Sequence, residues 1–372
     1  MRFFFLLLLT TLSMMTSAQQ YFLFIGTYTG TGSKGIYVYR FDAATGKATF
    51  VSSTDKAESP SYLAIAPNGK TLYACNETAS PSGGKVSAFQ FNKSDGTLRL
   101  LNQQATGGDH PAYVAVDPKA KWVVAGNYSG GSITAFPIAK NGSINPFTQL
   151  VKHVGKGADA SRQASAHVHA TVFSPAGDYL LSPDLGLDKV MIYPFKGTPV
   201  SPMDEKKVSF AKSSAGGGPR HLDFHPNGKW AYLMEEMGGS VIAFDYSKGK
   251  LTQKQRILAH ADTAKGPFGS ADIHVSPDGK FLYASNRLSE NNIAIFKIDA
   301  RTGKLTTVGY QSTLGEAPRN FVIDPTGNYL LAANQNTNNI VIFKRDKQTG
   351  LLTETGEQIS LPKPVCLKLL KE

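Results

Sequence analysis

The chain has 372 residues and a formal charge of +11 at pH 7. Its lysines are scattered and form no long basic run, which argues against nucleic acid as a partner and favours small anionic ligands. The two cysteines, Cys75 and Cys366, are too few for a disulfide framework. We expect both to be small buried residues, with a single bridge between them as the alternative.

The N-terminus has the pattern of a secretory signal peptide. Arg2 gives a positive start, residues 3–9 form a short apolar run, and Thr16, Ser17 and Ala18 offer small residues for cleavage. No later stretch approaches the ~20 apolar residues that a membrane-spanning helix needs. We therefore predict a signal peptide over residues 1–18, cleavage after Ala18, and a periplasmic or secreted monomer without membrane insertion.

A repeated hairpin follows the N-terminal segment. Six segments combine an apolar run, a proline-containing turn and a second apolar run, as in SYLAIAPNGKTLYACN at 61–76. Alternating apolar residues on both sides of a Pro-x-Gly turn predict a β-hairpin. The turn prolines lie at positions 67, 118, 175, 226, 277 and 325.

A third strand with an aromatic end recurs seven times, and a fourth, more polar strand often follows it. The aromatic residues are Tyr39, Phe89, Phe136, Tyr193, Phe244, Phe296 and Phe343. Four antiparallel strands in every ~50 residues, without helical periodicity, are typical of β-propeller blades.

The two ends of the chain complement each other. Residues 22–25, 35–39 and 48–52 supply strands two to four of one blade, and residues 364–370 match the first strand of the repeat. A blade built from both termini closes the ring and leaves no open sheet edge. We therefore predict an all-β fold, a single seven-bladed propeller over residues 19–372.

The start of strand one breaks the repeat pattern in three blades. Strand one lines the central channel of a propeller, where a charge is costly without a purpose or a partner. Most blades carry a small or apolar residue at this position, but three carry a cationic or nearly cationic one: His169, Arg220 and Arg319.

The end of strand two lies on the same rim, because the two strands run antiparallel. Asparagines occupy this position in several blades, and we predict substrate contacts for three of them, although satisfying turn backbone is the favoured alternative. These are Asn127, Asn286 and Asn334. The next residue varies most: Glu77, Tyr128, Leu185, Glu236, Arg287 and Gln335.

These positions converge on one mouth of the channel. We predict His169, Arg220, Glu236 and Arg287 as catalytic residues, with His167 and Arg319 as further substrate contacts. Guanidiniums suit a carboxylate or phosphate, whereas Glu236 or His169 can take a proton from water. We expect the cations at a wet rim, with little effect on stability. A purely structural salt-bridge network is the alternative.

No metal or other cofactor is expected. His167 and His169 alternate on the predicted strand and could form half of a metal site, but a second pair of ligands is not evident. His221, His225, Asp272 and His274 are assigned to the opposite strand face or to turns, with a packing role between blades.

The motifs around these residues resemble the seven-bladed propeller lactonases, which include bacterial propeller-type 6-phosphogluconolactonases and a fungal carboxy-muconate cyclase. The similarity covers the whole predicted mature chain and is strongest at 167–169, 218–221, 232–236, 276–287 and 318–321. It implies active-site roles for His169, Arg220, Glu236 and Arg287. Glu235 departs from the asparagine often found there, and we expect it to add negative charge near the arginines.

The resulting functional prediction is hydrolysis of an anionic or sugar-derived lactone. Arg220 and Arg287 hold the anionic group or the developing oxyanion, and Glu236 or His169 activates water. Two alternatives remain open. One is a cycloisomerase that forms a muconate-type lactone, and the other is an exported propeller that only binds a ligand or a partner protein.

Overall fold

The computed structural model describes residues 19–30, 32–196 and 200–372. The predicted signal peptide, residues 1–18, lies outside the described residues. No helix among those that are described is long and apolar enough to cross a membrane. One short 3-10 helix, Glu205–Lys207, accompanies the strands of the described chain.

The described strands fall into seven four-stranded sheets. In chain order, the first half comprises β1 (Gln20–Thr27), β2 (Ile36–Asp42), β3 (Ala48–Thr54), β4 (Tyr62–Ile65), β5 (Thr71–Asn76), β6 (Lys85–Asn92), β7 (Thr97–Ala105), β8 (Pro111–Val116), β9 (Trp122–Asn127), β10 (Ser132–Pro137), β11 (Gln149–Lys152), β12 (Val172–Phe173), β13 (Tyr179–Asp184) and β14 (Lys189–Pro194). The second half comprises β15 (Ser209–Lys212), β16 (Pro219–Phe224), β17 (Trp230–Glu235), β18 (Ser240–Ser247), β19 (Lys250–Leu258), β20 (Phe268–Val275), β21 (Phe281–Leu288), β22 (Asn292–Ile298), β23 (Leu305–Ser312), β24 (Pro318–Ile323), β25 (Tyr329–Asn334), β26 (Asn339–Arg345), β27 (Leu352–Ser360) and β28 (Pro364–Lys371).

Each sheet is one antiparallel blade, and the predicted seven-bladed propeller is confirmed. The first blade has the order β28-β1-β2-β3, so its innermost strand comes from the C-terminus. Strand β28 pairs antiparallel with β1, with Ile25 opposite Leu367 and Phe22 opposite Leu370. The predicted closure of the ring is therefore also confirmed.

Burial explains the graded composition of the strands. The second strand of a blade packs against neighbouring blades on both faces, so β5 is buried along its whole length. Strand β7 lies at the outer edge of its blade, and its residues are partly buried or exposed. The aromatic residues that end the third strands fill the layers between blades, and Phe89, Phe136 and Phe244 are almost fully buried. The repeated aromatic position therefore serves packing.

The fourth blade departs from the repeat at its innermost strand. Strand β12 is only two residues long, and residues 153–171 form the longest connection between two described blades. His167 and His169 therefore precede β12, and an isolated bridge between Val168 and Asp184 joins their segment to β13. The regular strand predicted to carry both histidines begins only after them, although both rings contact Tyr128.

Both cysteines are free and buried. The Cys75 thiol lies 3.5 Å from the Ser61 hydroxyl, and the Cys366 sulfur accepts a hydrogen bond from the Leu63 backbone at 3.3 Å. The two residues are therefore small core side chains, and the bridge considered as an alternative is absent from the described chain.

Candidate active site

A polar pocket of about 190 Å³ opens at one mouth of the channel, and we call it the mouth pocket. Every blade contributes to it, because strand-one starts and strand-two ends meet on this rim. Its lining consists of Tyr28, Glu77, Ala112, Tyr128, Arg162, His169, Glu236, Arg287 and Arg319. Four of the predicted residues thus come together here, namely His169, Glu236, Arg287 and Arg319.

Glu236 is the centre of the charge network. Its Oε2 lies 2.9 Å from Arg220 Nε and 3.2 Å from the Arg287 guanidinium, and its Oε1 accepts a hydrogen bond from Arg162 at 2.9 Å. Burial raises the pKa of Glu236, but the three guanidiniums outweigh it and lower the pKa to about 2. The carboxylate is therefore ionised at neutral pH and is a weak base.

Arg220 lies beneath the pocket and does not line it. Its guanidinium donates hydrogen bonds to the Ala271 carbonyl at 2.7 Å and to His221 Nε2 at 3.2 Å. Burial and neighbouring guanidiniums lower the pKa of Arg220 to about 9, which is still above neutrality. The side chain is 1% exposed, so the expected position at a wet rim is wrong for this residue.

A β-bulge explains how Arg220 and His221 both reach the channel. Consecutive residues of a regular strand point to opposite faces, but the pairing of β16 with β17 shifts between Pro219 and Leu222. His221 therefore lies on the channel side and not on the predicted opposite face, although it still contacts the neighbouring blade. Its Nδ1 lies 2.7 Å from Asp272, which fixes the ring so that Nε2 accepts from Arg220.

His169 faces Glu236 across a small gap. Its Nε2 lies 3.9 Å from Glu236 Oε2, and its Nδ1 is buried and has no hydrogen-bond partner among the described residues. Burial, followed by the positive charge of Arg220, holds the pKa of His169 well below its usual range. The imidazole is thus neutral at physiological pH, with a lone pair available for a proton.

The opposite wall of the mouth pocket carries a second carboxylate. Glu77 Oε2 accepts a hydrogen bond from the Tyr28 hydroxyl at 2.9 Å and lies 3.8 Å from Arg319. The Arg319 guanidinium lies over the Tyr28 ring, 5.5 Å from its centroid. With Arg162, Arg220 and Arg287, four guanidiniums surround two carboxylates, which leaves a formal surplus of two positive charges for an anionic ligand.

The remaining predicted contacts do not reach the pocket. His167 stacks on Tyr128 with ring centroids 4.7 Å apart and so lies behind its wall. The three asparagines are fully buried within their blades, where Asn286 and Asn334 donate to the carbonyls of Ala259 and Thr313. Asn127 donates to the hydroxyls of Ser132 and Thr134. Their positions therefore favour the structural alternative over substrate binding.

Glu235 does not add charge to the pocket, contrary to expectation. Its side chain points into the blade, where it pairs with Arg256 at 2.9 Å and accepts a hydrogen bond from the Ser214 backbone at 2.8 Å. Glu235 and Glu236 thus serve two separate ion pairs.

Five pocket residues are absent from the predicted site, namely Tyr28, Glu77, Ala112, Tyr128 and Arg162. Glu77 and Tyr128 occupy the position after strand two, which varies most between blades. That variation indicated a possible role at the site. Tyr28 follows β1, the second strand of the first blade, and so takes the same place as Glu77 and Tyr128 in their blades. Arg162 lies in the connection between β11 and β12, so comparison between blades says nothing about it. No group of three or more His, Cys, Asp or Glu side chains in the described chain is arranged to hold a metal ion.

Comparison with known proteins identifies the family. The model of the lactonase family with a seven-bladed β-propeller matches residues 22–369. The chain belongs to this seven-bladed lactonase family. The predicted family is thereby confirmed, together with the predicted class of carboxylic ester hydrolase at the level of the family.

Named lactonases are similar along nearly the whole chain. A 6-phosphogluconolactonase of Bacillus subtilis is 37% identical over 355 residues, covering 95% of this chain and 99% of the relative. The structure of a periplasmic gluconolactonase from Pseudomonas aeruginosa has a TM-score of 0.89 and 34% identity, covering 94% of this chain and 99% of the other. A candidate 6-phosphogluconolactonase from Bacteroides fragilis reaches a TM-score of 0.90 and 44% identity, covering 96% and 99%.

Proposed function

We propose that this lactonase-family protein hydrolyses an anionic or sugar-derived lactone in the mouth pocket. The observation that carries the proposal is the 3.9 Å separation of His169 Nε2 and Glu236 Oε2 beneath a surplus of guanidiniums. One water molecule between these two atoms can donate a hydrogen bond to each of them, because two acceptors ~2.8 Å from the same oxygen lie about 4 Å apart. The pocket thus offers a position for a nucleophilic water next to a site for negative charge.

The reaction can be assigned to groups of this chain. Glu236 orients the water as a hydrogen-bond acceptor, while neutral His169 takes a proton as the water oxygen attacks the lactone carbonyl. Arg287, which lines the pocket, stabilises the negative charge that develops on the carbonyl oxygen. The ring C–O bond then breaks, and the leaving oxygen receives the proton from His169, so a hydroxy acid is formed and the imidazole is restored.

Arg220 has a different task from the one predicted. Because it is buried below the pocket and bonded to Glu236 through Nε, it is a positioning residue. It holds the carboxylate in place and keeps it ionised, whereas Arg287 and Arg319 face the ligand. The predicted pair of anion-binding arginines is therefore better described as Arg287 and Arg319.

We also propose that the mature protein works outside the cytoplasm. The signal-like pattern over residues 1–18 supports this, and one relative of known structure is described as a periplasmic gluconolactonase. Mass spectrometry of protein from its native cell should find a chain that begins at Gln19. A cytoplasmic protein that retains Met1 contradicts the proposal.

A lactone panel tests the proposed activity. Purified protein in a pH-stat should release acid from aldonolactones, with and without phosphate, faster than the uncatalysed reaction does. Because all residues of the mouth pocket come from one chain, we propose that the monomer is active, and light scattering under assay conditions checks this. A protein that opens no lactone while retaining a specific ligand or partner favours the non-enzymatic alternative.

A further inference from the structure

Arg162 stands apart from the other guanidiniums of the mouth pocket. Arg220 and Arg287 are each tied to a backbone carbonyl as well as to Glu236, and their side chains are 1% and 15% exposed. The Arg162 side chain is 47% exposed. Its hydrogen bonds within the described chain, to Glu236 Oε1 at 2.9 Å and to the Tyr128 hydroxyl at 3.3 Å, all use one terminal nitrogen.

The backbone that carries Arg162 is firmly held. Gln163 next to it is fully buried and donates to the Leu185 carbonyl at 2.7 Å and to Asp188 at 2.6 Å. The Arg162 amide donates to the side chain of Asp159 at 2.9 Å. The long connection after β11 therefore presents Arg162 from a fixed turn, while nearly half of its side chain is exposed to solvent at the pocket.

Glu236 does not need Arg162 to remain bound. Its Oε2 keeps Arg220 and Arg287, whereas among the described residues Arg162 alone contacts Oε1. When an anionic ligand enters, the exposed guanidinium can exchange one oxygen anion for another at little cost, because both are charge-assisted contacts. The exchange frees Oε1 to accept a hydrogen bond from water or from a substrate hydroxyl group.

From this arrangement we infer that Arg162 determines specificity for lactones with a negatively charged substituent by leaving Glu236 to bind that substituent. The inference rests on the proposed lactonase function. Arg162 thereby contributes to binding of the charged substituent, whereas the position for water between His169 Nε2 and Glu236 Oε2 is the same for both kinds of lactone. A neutral lactone offers Arg162 no competing partner and leaves the Arg162–Glu236 pair closed.

The test compares one lactone with and without a charge. We would measure hydrolysis of D-glucono-1,5-lactone and of its 6-phosphate by wild-type protein and by Arg162→Gln at fixed ionic strength. The expected loss in kcat/KM is about tenfold to a hundredfold for the phosphorylated lactone, carried mainly by KM, because one contact to a charged group is removed. The neutral lactone should change by less than about twofold, and Arg162→Lys should recover part of the loss.

The matched control is a substitution of another partly exposed arginine that forms an ion pair with a glutamate. Arg256 pairs with Glu235 at 2.9 Å outside the mouth pocket, and its side chain is 39% exposed. Arg256→Gln should leave the ratio of the two kcat/KM values unchanged, with folding checked by thermal melting. If Arg162→Gln lowers both substrates by the same factor, or neither, Arg162 does not select the anion.

A binding measurement separates failure of this inference from failure of the proposed function. If the wild-type protein opens neither lactone, the proposed function fails. Titration calorimetry with inorganic phosphate should still show binding that Arg162→Gln weakens at least about tenfold. Phosphate that does not bind the wild type, or that binds both proteins alike, overturns the role of Arg162.

Discussion

Arg220 Nε and Glu236 Oε2 lie 2.9 Å apart beneath the mouth pocket, in an ion pair whose cationic partner is 1% exposed. Because this pair is buried, Arg220 contributes to the stability of the fold as well as to the site. A cation at a wet rim contributes little to stability, whereas a buried one is part of the folded framework.

Replacing Arg220 with alanine should therefore cost both stability and activity. The change leaves a cavity and deprives the Ala271 carbonyl and Glu236 of a buried donor, so the free energy of unfolding should fall by about 3 kcal/mol or more. Chemical denaturation measures this loss. The control is Arg301→Ala, an exposed residue in the turn between β22 and β23, which should change neither stability nor turnover.

Arg287→Ala should separate catalysis from stability. The side chain lines the pocket and is partly exposed, so we expect kcat/KM for the lactone to fall by about tenfold to a thousandfold while unfolding changes less than in Arg220→Ala. Steady-state kinetics and denaturation on the same preparations give both values. Equal losses of stability in the two variants contradict this division of roles.

Glu236→Gln tests the orienting carboxylate with little change in shape. The amide keeps one hydrogen-bond acceptor but loses the charge that aligns water and stabilises protonated His169. We therefore expect kcat to fall while KM stays near the wild-type value. Unchanged kcat at full substrate saturation excludes Glu236 from the chemical step.

The pH dependence follows from the low pKa of His169. The base must be deprotonated, so activity is lost only as pH falls through the pKa of the folded enzyme, which burial and Arg220 hold well below the usual value of about 6.5. We expect kcat/KM for a lactone without an ionisable group to stay level from pH 8 to below pH 6.5. An acid limb centred near 6.5 in this profile contradicts a buried His169 as the base.

Ring closure gives a prediction about the C-terminus. Deleting residues 364–372 removes β28, which exposes the edge of β1 and part of the channel wall. The shortened protein should aggregate or unfold, because an open hydrophobic edge invites pairing with other chains. Size-exclusion chromatography and thermal melting reveal the loss, and a truncated chain that elutes and melts like the full-length protein refutes it.

The fold could be predicted from the sequence because of the repeat. Few architectures other than a propeller combine regularly spaced hairpins with a C-terminal segment that matches their first strand. Comparison of blades also located His169, Glu236, Arg287 and Arg319 at one mouth. The same comparison placed Asn127, Asn286 and Asn334 there, although their side chains turn into the blades and donate to buried hydroxyl groups or backbone carbonyls.

What the sequence concealed depends on local geometry. The shift in pairing at Pro219–Leu222 places Arg220 below the pocket and His221 in contact with Arg220. Similar shifts occur in β8, β20 and β24, but the residue types do not show which side chain each shift turns towards the channel. Arg162 lies in a connection that has no counterpart in other blades, so the repeat provided no reference for it. Glu235 and Glu236 are adjacent in sequence but belong to separate ion pairs, which strand alternation alone does not decide.

The most direct test of the central claim is the rate of lactone opening by wild-type protein and by His169→Asn in the same pH-stat assay. The substituted side chain keeps polarity near Glu236 but cannot take the proton from water. The proposed mechanism predicts measurable hydrolysis by the wild type and a decrease in kcat of about a hundredfold or more in the variant, without loss of the folded state. Full activity in His169→Asn, or no hydrolysis of any lactone by the wild type, contradicts it.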